Sequence, residues 1–525
     1  MRLFGPLSIS SFLALTQCLQ TILGPGLRVP LLREPDANRI TVDGKPTGAS
    51  GPIPEAFVSF SIEFAFFPDF TSSKAQPNVF SNNLLENIWE LSGTKPFIRV
   101  GGKTHTSVKG TVVLERSRDY PTILSVGPSY FDSHSIFSNT KYIHGFNLGK
   151  NGTTARQSLL ATVPLACKAL GNGKLLYWEF SNEPDLFKTS AQGAVRPRDW
   201  DEQDYVNEWL AGSRAIGNAM RRACPEMASD AAFKWIAPSF AGPDNDLDPV
   251  IAWNSGLNRD GIIGQISMHN YIADASKPGV TLAGMLLNHT TTTTSITRQL
   301  NTARLLAKPD LPLILGEANS LSNQGAPGLS NTFGAALWSL DFNLYCASQD
   351  IKRVFMHQGT DYRYSAWQPI STSKITKGTK PPYYGSIAVA AMLGDLTNGT
   401  TQVKHLPLSS ETEAAYATYK NDVLHSIMVI NIAPYDYTPS AARARPEKKY
   451  PFQVPSSCAG IGVVQRLLAN WSSAITGVTW NGLSYNYGLQ EGKLVLLGNV
   501  TEDEITWVGQ DGVFNAMCRT LRRRW

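Results

Sequence analysis

Between Phe57 and Leu393, eight short apolar runs rich in β-branched and aromatic residues alternate with stretches of helical periodicity. No other feature constrains the fold as much. The runs are centred near residues 60, 98, 144, 178, 235, 266, 314 and 355. Their length and composition are those of buried strands. The intervening stretches predict helices from Ser81 as cap to Gly93, Gln157 to Leu170, Asp201 to Cys224, around Gln299 to Leu306 after a threonine run (Thr290 to Thr294), Thr332 to Ser348, and Tyr384 to Leu393. Eight strands with helices between them give the α/β class and a (β/α)8 TIM barrel over residues 57–395. Past Leu396 the pattern changes to short alternating runs (Ala414 to Tyr419, Val423 to Ile432, Val463 to Leu468, Leu494 to Val500, Ile505 to Val508) separated by turn residues. These predict an accessory antiparallel β-sandwich domain over 396–525. A length of 525 residues accommodates one large and one smaller domain.

Two of the strands end in glutamates. The run from Leu175 to Phe180 breaks into Ser181-Asn182-Glu183-Pro184-Asp185. Pro184 cannot supply a strand hydrogen bond and pushes Glu183 towards an extended conformation, so the strand stops with a carboxylate at its C-terminal lip. The run from Leu311 to Leu315 continues through Gly316, which lets the backbone bend, into Glu317, Ala318 and Asn319. On the count above, Glu183 closes the fourth strand and Glu317 the seventh, opposite one another across the barrel mouth. Glycoside hydrolysis needs such a pair: one acid to protonate the leaving oxygen, and one carboxylate across the anomeric carbon. Asn182 would place an amide near the sugar 2-hydroxyl. Tyr271, after His269-Asn270, could hydrogen-bond the nucleophile and hold it ionised. An isolated Asn-Glu-Pro triplet is also an ordinary strand-end turn, and it is the matching Glu317 that favours catalysis. Glu63 reads equally as a buried structural carboxylate or a substrate contact, while His269 and His357 read as strand-end hydrogen bonders. Trp178 and Trp338 read as core, whereas Trp367, in a polar loop, is a candidate to stack on a sugar.

The chain is 42% hydrophobic and 17% charged with a net charge of +5, which suits a packed globular enzyme. The terminal cluster Arg519, Arg522, Arg523 and Arg524 reads as a solvated tail, and no nucleic-acid module is recognisable. Residues 1–23 resemble a secretory signal whose apolar core, Leu3 to Leu15, is too short to span a bilayer. Glycosylation triplets at Asn151, Asn288, Asn398, Asn470 and Asn499 agree with export, so the expectation is a secreted, extracellular glycoprotein with no membrane partner. The cysteines (Cys18, Cys167, Cys224, Cys346, Cys458, Cys518) have no metal or redox spacing. Cys167 and Cys346 read as buried free thiols, and Cys458 with Cys518 as a pair that could bond.

Several segments together, Ser61-Ile62-Glu63, Arg99-Val100-Gly101-Gly102, Ser181 to Asp185, Gly316-Glu317-Ala318-Asn319-Ser320 and His357-Gln358-Gly359, resemble glycoside hydrolase family 79. The likeness is closest to secreted fungal β-glucuronidases, with heparanase a more distant relative. It implies a retaining mechanism with Glu183 as acid/base and Glu317 as nucleophile, no cofactor and no metal. It implies sugar contacts from Glu63, Asn182, Tyr271 and Tyr364, and a strand contributed to the β-sandwich by residues 24–56. In the family, tyrosine hydroxyls and backbone amides hold the uronate carboxylate, which brings in Gln324 and Gly325. The family usually continues Asn-Thr-Gln-Asp after the two glycines, where this chain has Lys103-Thr104-His105-Thr106, and usually has tyrosine where Ser322 stands. Lys103 is therefore a candidate replacement contact. The expected substrate is a uronic-acid-bearing glycan, attacked at a terminal β-linked glucuronic or 4-O-methyl-glucuronic acid. The alternatives are an endo-acting heparanase-like hydrolase, or a non-catalytic carbohydrate-binding protein with an altered sugar pocket.

Overall fold

The computed structural model describes residues 39–102, 105–107, 123–150, 152–189, 194–306, 311–436, 447–497 and 504–518. The signal-like segment, Cys18, Lys103, Asn151, Asn499 and the terminal arginines lie outside the described residues.

All eight apolar runs form strands of one closed barrel: β1 (Val58–Glu63), β2 (Ile98–Gly101), β3 (Tyr142–Phe146), β4 (Leu175–Phe180), β5 (Trp235–Phe240), β6 (Ile263–Asp274), β7 (Leu313–Ser322) and β8 (Val354–Gln358). Each pairs in parallel with its sequence neighbour, and β8 closes onto β1. Parallel strands covered by helices bury both faces, which is why the runs are continuously apolar rather than alternating. The barrel interior is filled at its lower end by Ala56, Phe97, Ile143, Ile236, Ile314 and Phe355. Above that apolar layer the inward positions turn polar, and the site begins there.

The principal helices are α1 (Val79–Ser92), α2 (Thr153–Leu170), α3 (Glu202–Ala223), α4 (His289–Leu306), α5 (Phe333–Ser348) and α6 (Pro381–Leu393). Asp201 caps α3 through a capping box with Asp204. The cap of α1 is Asn78 rather than Ser81: the Asn78 side chain accepts the Ser81 N–H, and Ser81 lies inside the first turn. Asparagine caps as well as serine does, and Pro77 before it fixes the entry. The threonine run lies within α4 rather than before it. Its hydroxyls return to backbone carbonyls one turn earlier, as Thr293 does to Thr290 and Thr292 to Asn288, which lets threonine be tolerated there.

Downstream, Thr401–His405, Glu413–Lys420 and Val423–Asn431 form one antiparallel sheet, and Lys448–Gln453 pairs with Val513–Cys518 in another. Ile40–Thr41 joins the second sheet, parallel to Phe452–Gln453. Between the two sheets lies a small core of Val42, Leu406, Ala415, Ala417, Tyr419, Tyr450, Phe452 and Val454. Glu413–Lys420 is buried on both faces: Ala415, Ala417 and Tyr419 face that core, while Ala414 and Tyr416 belong to the main barrel core. The strand therefore couples the two bodies. It also explains why α5 and α6 carry apolar residues all round, since neither has a solvent face of any width.

Cys167 is not a free thiol. It is bonded to Cys224, tying the end of α2 to the end of α3 across 57 residues. Helical burial suggested a thiol, but both helices pack side by side on the barrel and bring their last turns together. Cys346 is buried in α5, as expected. Cys458 and Cys518 both pack against the smaller core.

Candidate active site

The polar layer is organised by Arg99 of β2, a fully buried cation in an otherwise apolar strand. Its Nε donates to Glu179 (2.8 Å), its Nη1 to Glu317 (2.8 Å) and Ser61 (2.8 Å), and its Nη2 to the Asn182 side-chain oxygen (2.6 Å). The planar guanidinium thus gathers acceptors from β1, β4, the turn after β4, and β7. Burial works against its charge, but Glu179 and Glu317 more than offset that, so Arg99 is a permanent cation.

Glu317 occupies β7 opposite His269 of β6. The ladder shifts register around Gly316, where a Cβ would come within 2.3 Å of the Ser267 hydroxyl, so glycine is required at that bend. Tyr271 donates to Glu317 Oε1 at 2.7 Å. His357 Nδ1 lies 3.5 Å from Glu317 Oε2 and 2.9 Å from the Ser61 hydroxyl. Burial raises the Glu317 pKa, but His357, His269, Arg99 and the Tyr271 hydrogen bond outweigh it and hold the carboxyl well below the usual range. His357 itself is pushed down to about 4 by burial, although Glu317 opposes that shift. Above that pH it is neutral, which leaves Arg99 and Tyr271 as lasting stabilisers of the carboxylate.

Glu183 follows β4 by three residues and is buried. Its backbone is left-handed (φ 49°, ψ 52°), not extended as the following proline suggested. Two tertiary contacts override the local preference. The Glu183 N–H donates to the Ser239 carbonyl (3.0 Å). Asp185 accepts from Ala241 N–H, Gly242 N–H and Asn245, anchoring the turn to the loop after β5. A non-glycine residue in this region stores about 1–3 kcal/mol, a cost found where function dictates side-chain aim. Burial lifts Asp185 to about 7, against the pull of those three donors. His269 Nδ1 lies 3.1 Å from Glu183 Oε1. One carboxylate oxygen each of Glu183 and Glu317 and one His269 nitrogen all lie within 4.8 Å of one another. By type and spacing the three could ligate an ion, but Glu317 Oε2 already carries Arg99, so a divalent ion there would face a permanent cation.

The remaining sequence candidates fall around this pair. Glu63 ends β1 with its carboxylate over Gly102 (φ 130°), where a Cβ would lie 2.3 Å from Glu63 Oε2, and 3.9 Å from His357 Nε2. Tyr364 is buried with its ring 6.0 Å from that of Tyr271. Asn182 turns its oxygen to Arg99, and its Nδ2 has no partner among the described residues. Gln324 and Gly325 lie in a loop whose carbonyls are held by Arg363: its backbone N–H donates to Gln324, its Nε to Gly325 and its Nη2 to Asn323. Ser322 ends β7, paired with Asp274. Trp367 does not face a sugar: it is fully buried, donates to Ser81 (2.9 Å) and packs edge-on against Phe60 and Phe70. Its loop is polar in sequence, yet the indole turns back into the core.

Sequence reasoning did not assign Arg99 or Glu179 a role in the site, whereas His269 and His357 are the strand-end hydrogen bonders it expected. A signal was present. An arginine inside one apolar strand and a glutamate inside another are each too costly to bury alone, so together they imply pairing.

Comparison with known proteins places this geometry. Residues 415–517 match the glycosyl hydrolase family 79 C-terminal beta domain. The chain is 53% identical to a β-glucuronidase of Aspergillus niger over 492 residues, covering 89% of this chain and 90% of the relative. It is 47% identical to a β-glucuronidase of Neurospora crassa over 517 residues, covering 90% and 92%. Among solved structures, it superposes on the 4-O-α-L-rhamnosyl-β-D-glucuronidase of Fusarium oxysporum 12S with a TM-score of 0.74 at 22% identity, covering 92% of this chain and 98% of that one. An α-L-arabinofuranosidase of family 51 from Thermotoga petrophila shares the fold more distantly (TM-score 0.56, 12% identity, covering 92% and 98%). A closed parallel barrel carrying two buried glutamates across its mouth, and identity near one half along almost the whole length of such relatives, identify the chain as a glycoside hydrolase belonging to family 79.

Proposed function

We propose that this hydrolase removes terminal β-linked glucuronic acid, or its 4-O-methyl ether, from glycans by double displacement, with Glu183 as acid/base and Glu317 as nucleophile. One observation carries the reading: the two carboxylates approach within 4.8 Å, and each is supported differently. Retaining glycosidases hold their carboxyl groups roughly 5–5.5 Å apart, whereas inverting ones need about 6.5–9.5 Å to admit a water. Glu317 accepts from Arg99 and Tyr271, which suits an ionised nucleophile. Glu183 has the imidazole of His269 3.1 Å from its Oε1, a neighbour that suits a group alternating between acid and base.

In the first step a Glu317 oxygen attacks the anomeric carbon as the bond to the leaving oxygen breaks, and the Glu183 proton passes to that oxygen. In the second, Glu183 takes a proton from water, whose oxygen attacks the same carbon and releases Glu317. The Asn182 Nδ2 is available to the 2-hydroxyl, where hydrogen bonds strengthen as ring charge develops. For the uronate carboxylate, Tyr364, the Gln324–Gly325 backbone and Lys103 are the proposed contacts. The two fungal relatives, both β-glucuronidases, support the glucuronide preference. The Cys167–Cys224 disulfide and the exposed Asn398 and Asn470 favour an exported glycoprotein. Asn288 suits glycosylation less, since its side chain holds both Glu411 and the Thr291 N–H at the start of α4.

The test is hydrolysis of an aryl β-glucuronide beside aryl β-glucoside and β-xyloside, with the product anomer read by proton NMR before mutarotation. Preference for the glucuronide and a β product first are expected. An α product would mean inversion and end the double-displacement reading, and absence of turnover on all three would favour a binding protein.

A further inference from the structure

Glu183 follows β4 and Glu317 lies on β7, and something must hold their separation. The structure contains an uninterrupted buried connection between them. It starts at Ser239 of β5, whose backbone is left-handed (φ 56°) at a register shift between Pro238 and Phe240. That bulge turns the two polar ends of one residue to different partners. The Ser239 carbonyl accepts the Glu183 N–H at 3.0 Å. The Ser239 hydroxyl donates to Glu179 Oε1 at 2.6 Å. Glu179 Oε2 accepts from Arg99 Nε, and the opposite side of the same guanidinium donates to Glu317.

Every side chain in the connection is buried, and Glu179 is 1% exposed. Glycines at 101 and 145 leave the space that Glu179 fills: a Cβ at either would lie 3.0 or 3.5 Å from its Oε2. From β2 the group facing it is Arg99, from β5 the Ser239 hydroxyl, and from α3 Tyr205, on whose hydroxyl its charge acts. A guanidinium held at one edge only could still tilt about its long stem. Held at both edges, it has one orientation, and in that orientation it meets Glu317 and Asn182 together.

We propose that Glu179 and Ser239 are positioning residues of the hydrolase, fixing the orientation of Arg99 and thereby the spacing and charge balance of the two catalytic glutamates. The inference rests on the assignment of Glu183 and Glu317 above. Glu179 is also one of the two counter-charges on Arg99. Neutralising it leaves more of the guanidinium field acting on both catalytic carboxyls, which favours their ionised forms. Both limbs of the pH–rate profile should then move to lower pH, by about half to one unit.

The experiment compares Glu179→Gln, Glu179→Ala, Ser239→Ala and Glu317→Gln on an aryl β-glucuronide, with thermal midpoints alongside. Glu179→Gln still offers an acceptor to Arg99 and should lose about 10-fold in kcat with KM nearly constant and both limbs shifted down. Glu179→Ala should lose about 100-fold or more, so that glutamine counts as partial rescue. Ser239→Ala removes only a hydroxyl and should fold even where a Glu179 variant does not, and it should lower kcat about 10-fold at unchanged KM. Lower thermal midpoints with wild-type kcat and wild-type limbs in both Glu179→Gln and Ser239→Ala would overturn the inference. If Glu317→Gln is dead while those two behave as wild type, only the positioning role fails. If Glu317→Gln stays active, the catalytic assignment itself fails.

Discussion

Replacing Tyr271 by phenylalanine removes one oxygen from the site and leaves its shape intact, so the consequence can be worked from the structure. The hydroxyl donates to Glu317 at 2.7 Å in a buried setting, a charge-assisted hydrogen bond worth about 1.5–3 kcal/mol. At 1.36 kcal/mol per unit, its loss raises the Glu317 pKa by roughly 1–2 units. Glu317 is a carboxyl depressed in the folded state, so its stabilisation is present above the unfolded pKa and disappears as pH falls through the folded value. The acid limb of the pH–rate profile should therefore move up by about one to two units in Tyr271→Phe, because ionised Glu317 is the required form. The basic limb, which belongs to the acid/base group, should move little. The same hydrogen bond predicts a stability loss of about 1.5–3 kcal/mol at pH 7 that shrinks once Glu317 is protonated in both proteins. The assay is kcat/KM on an activated aryl glucuronide from pH 2.5 to 8, with urea unfolding at pH 7. An acid limb that stays in place or moves down would refute the argument, and Arg99 alone would then account for the ionised nucleophile.

Glu183→Ala should spare substrates with good leaving groups and cripple those with poor ones, and azide should restore turnover on an activated substrate to give the β-glycosyl azide by NMR. Trp367→Ala should cost about 3–5 kcal/mol of stability in chemical denaturation while leaving KM for the glucuronide within about twofold, since the indole is core and not a sugar platform. Replacing Cys167 and Cys224 by serine opens a constraint spanning 57 residues and should cost about 4 kcal/mol on the chain-entropy estimate, read as a lower guanidinium midpoint with kcat per folded molecule unchanged. Activity should be highest on the acidic side of neutrality, bounded below by Glu317 and above by Glu183, and a rate still rising at pH 8 would contradict that order.

Much of this protein is local in origin and was legible without coordinates. The eight apolar runs had to be strands because a β-branched and aromatic segment buried on both faces has few other stable forms, and their number left one closed arrangement. Glu183 and Glu317 stood out because a carboxylate at the end of such a run is placed at the rim by chain geometry alone. Tyr271 was likewise read from its position two residues past His269. Tertiary structure decided what depends on partners far apart in sequence. The Glu183 backbone takes a left-handed conformation because Ser239 and the loop held by Asp185 outweigh its proline. Trp367 turns inward because Phe60, Phe70 and Ser81, nearly 300 residues earlier, meet it there. Cys167 and Cys224 bond because two helices of different length finish side by side. Above all, Arg99 acquires its role only when β1, β2, β4 and β7 close into one ring: each strand can supply a charge or a hydroxyl, but only the closed barrel brings those groups within hydrogen-bonding distance in a medium too dry for any of them to remain alone.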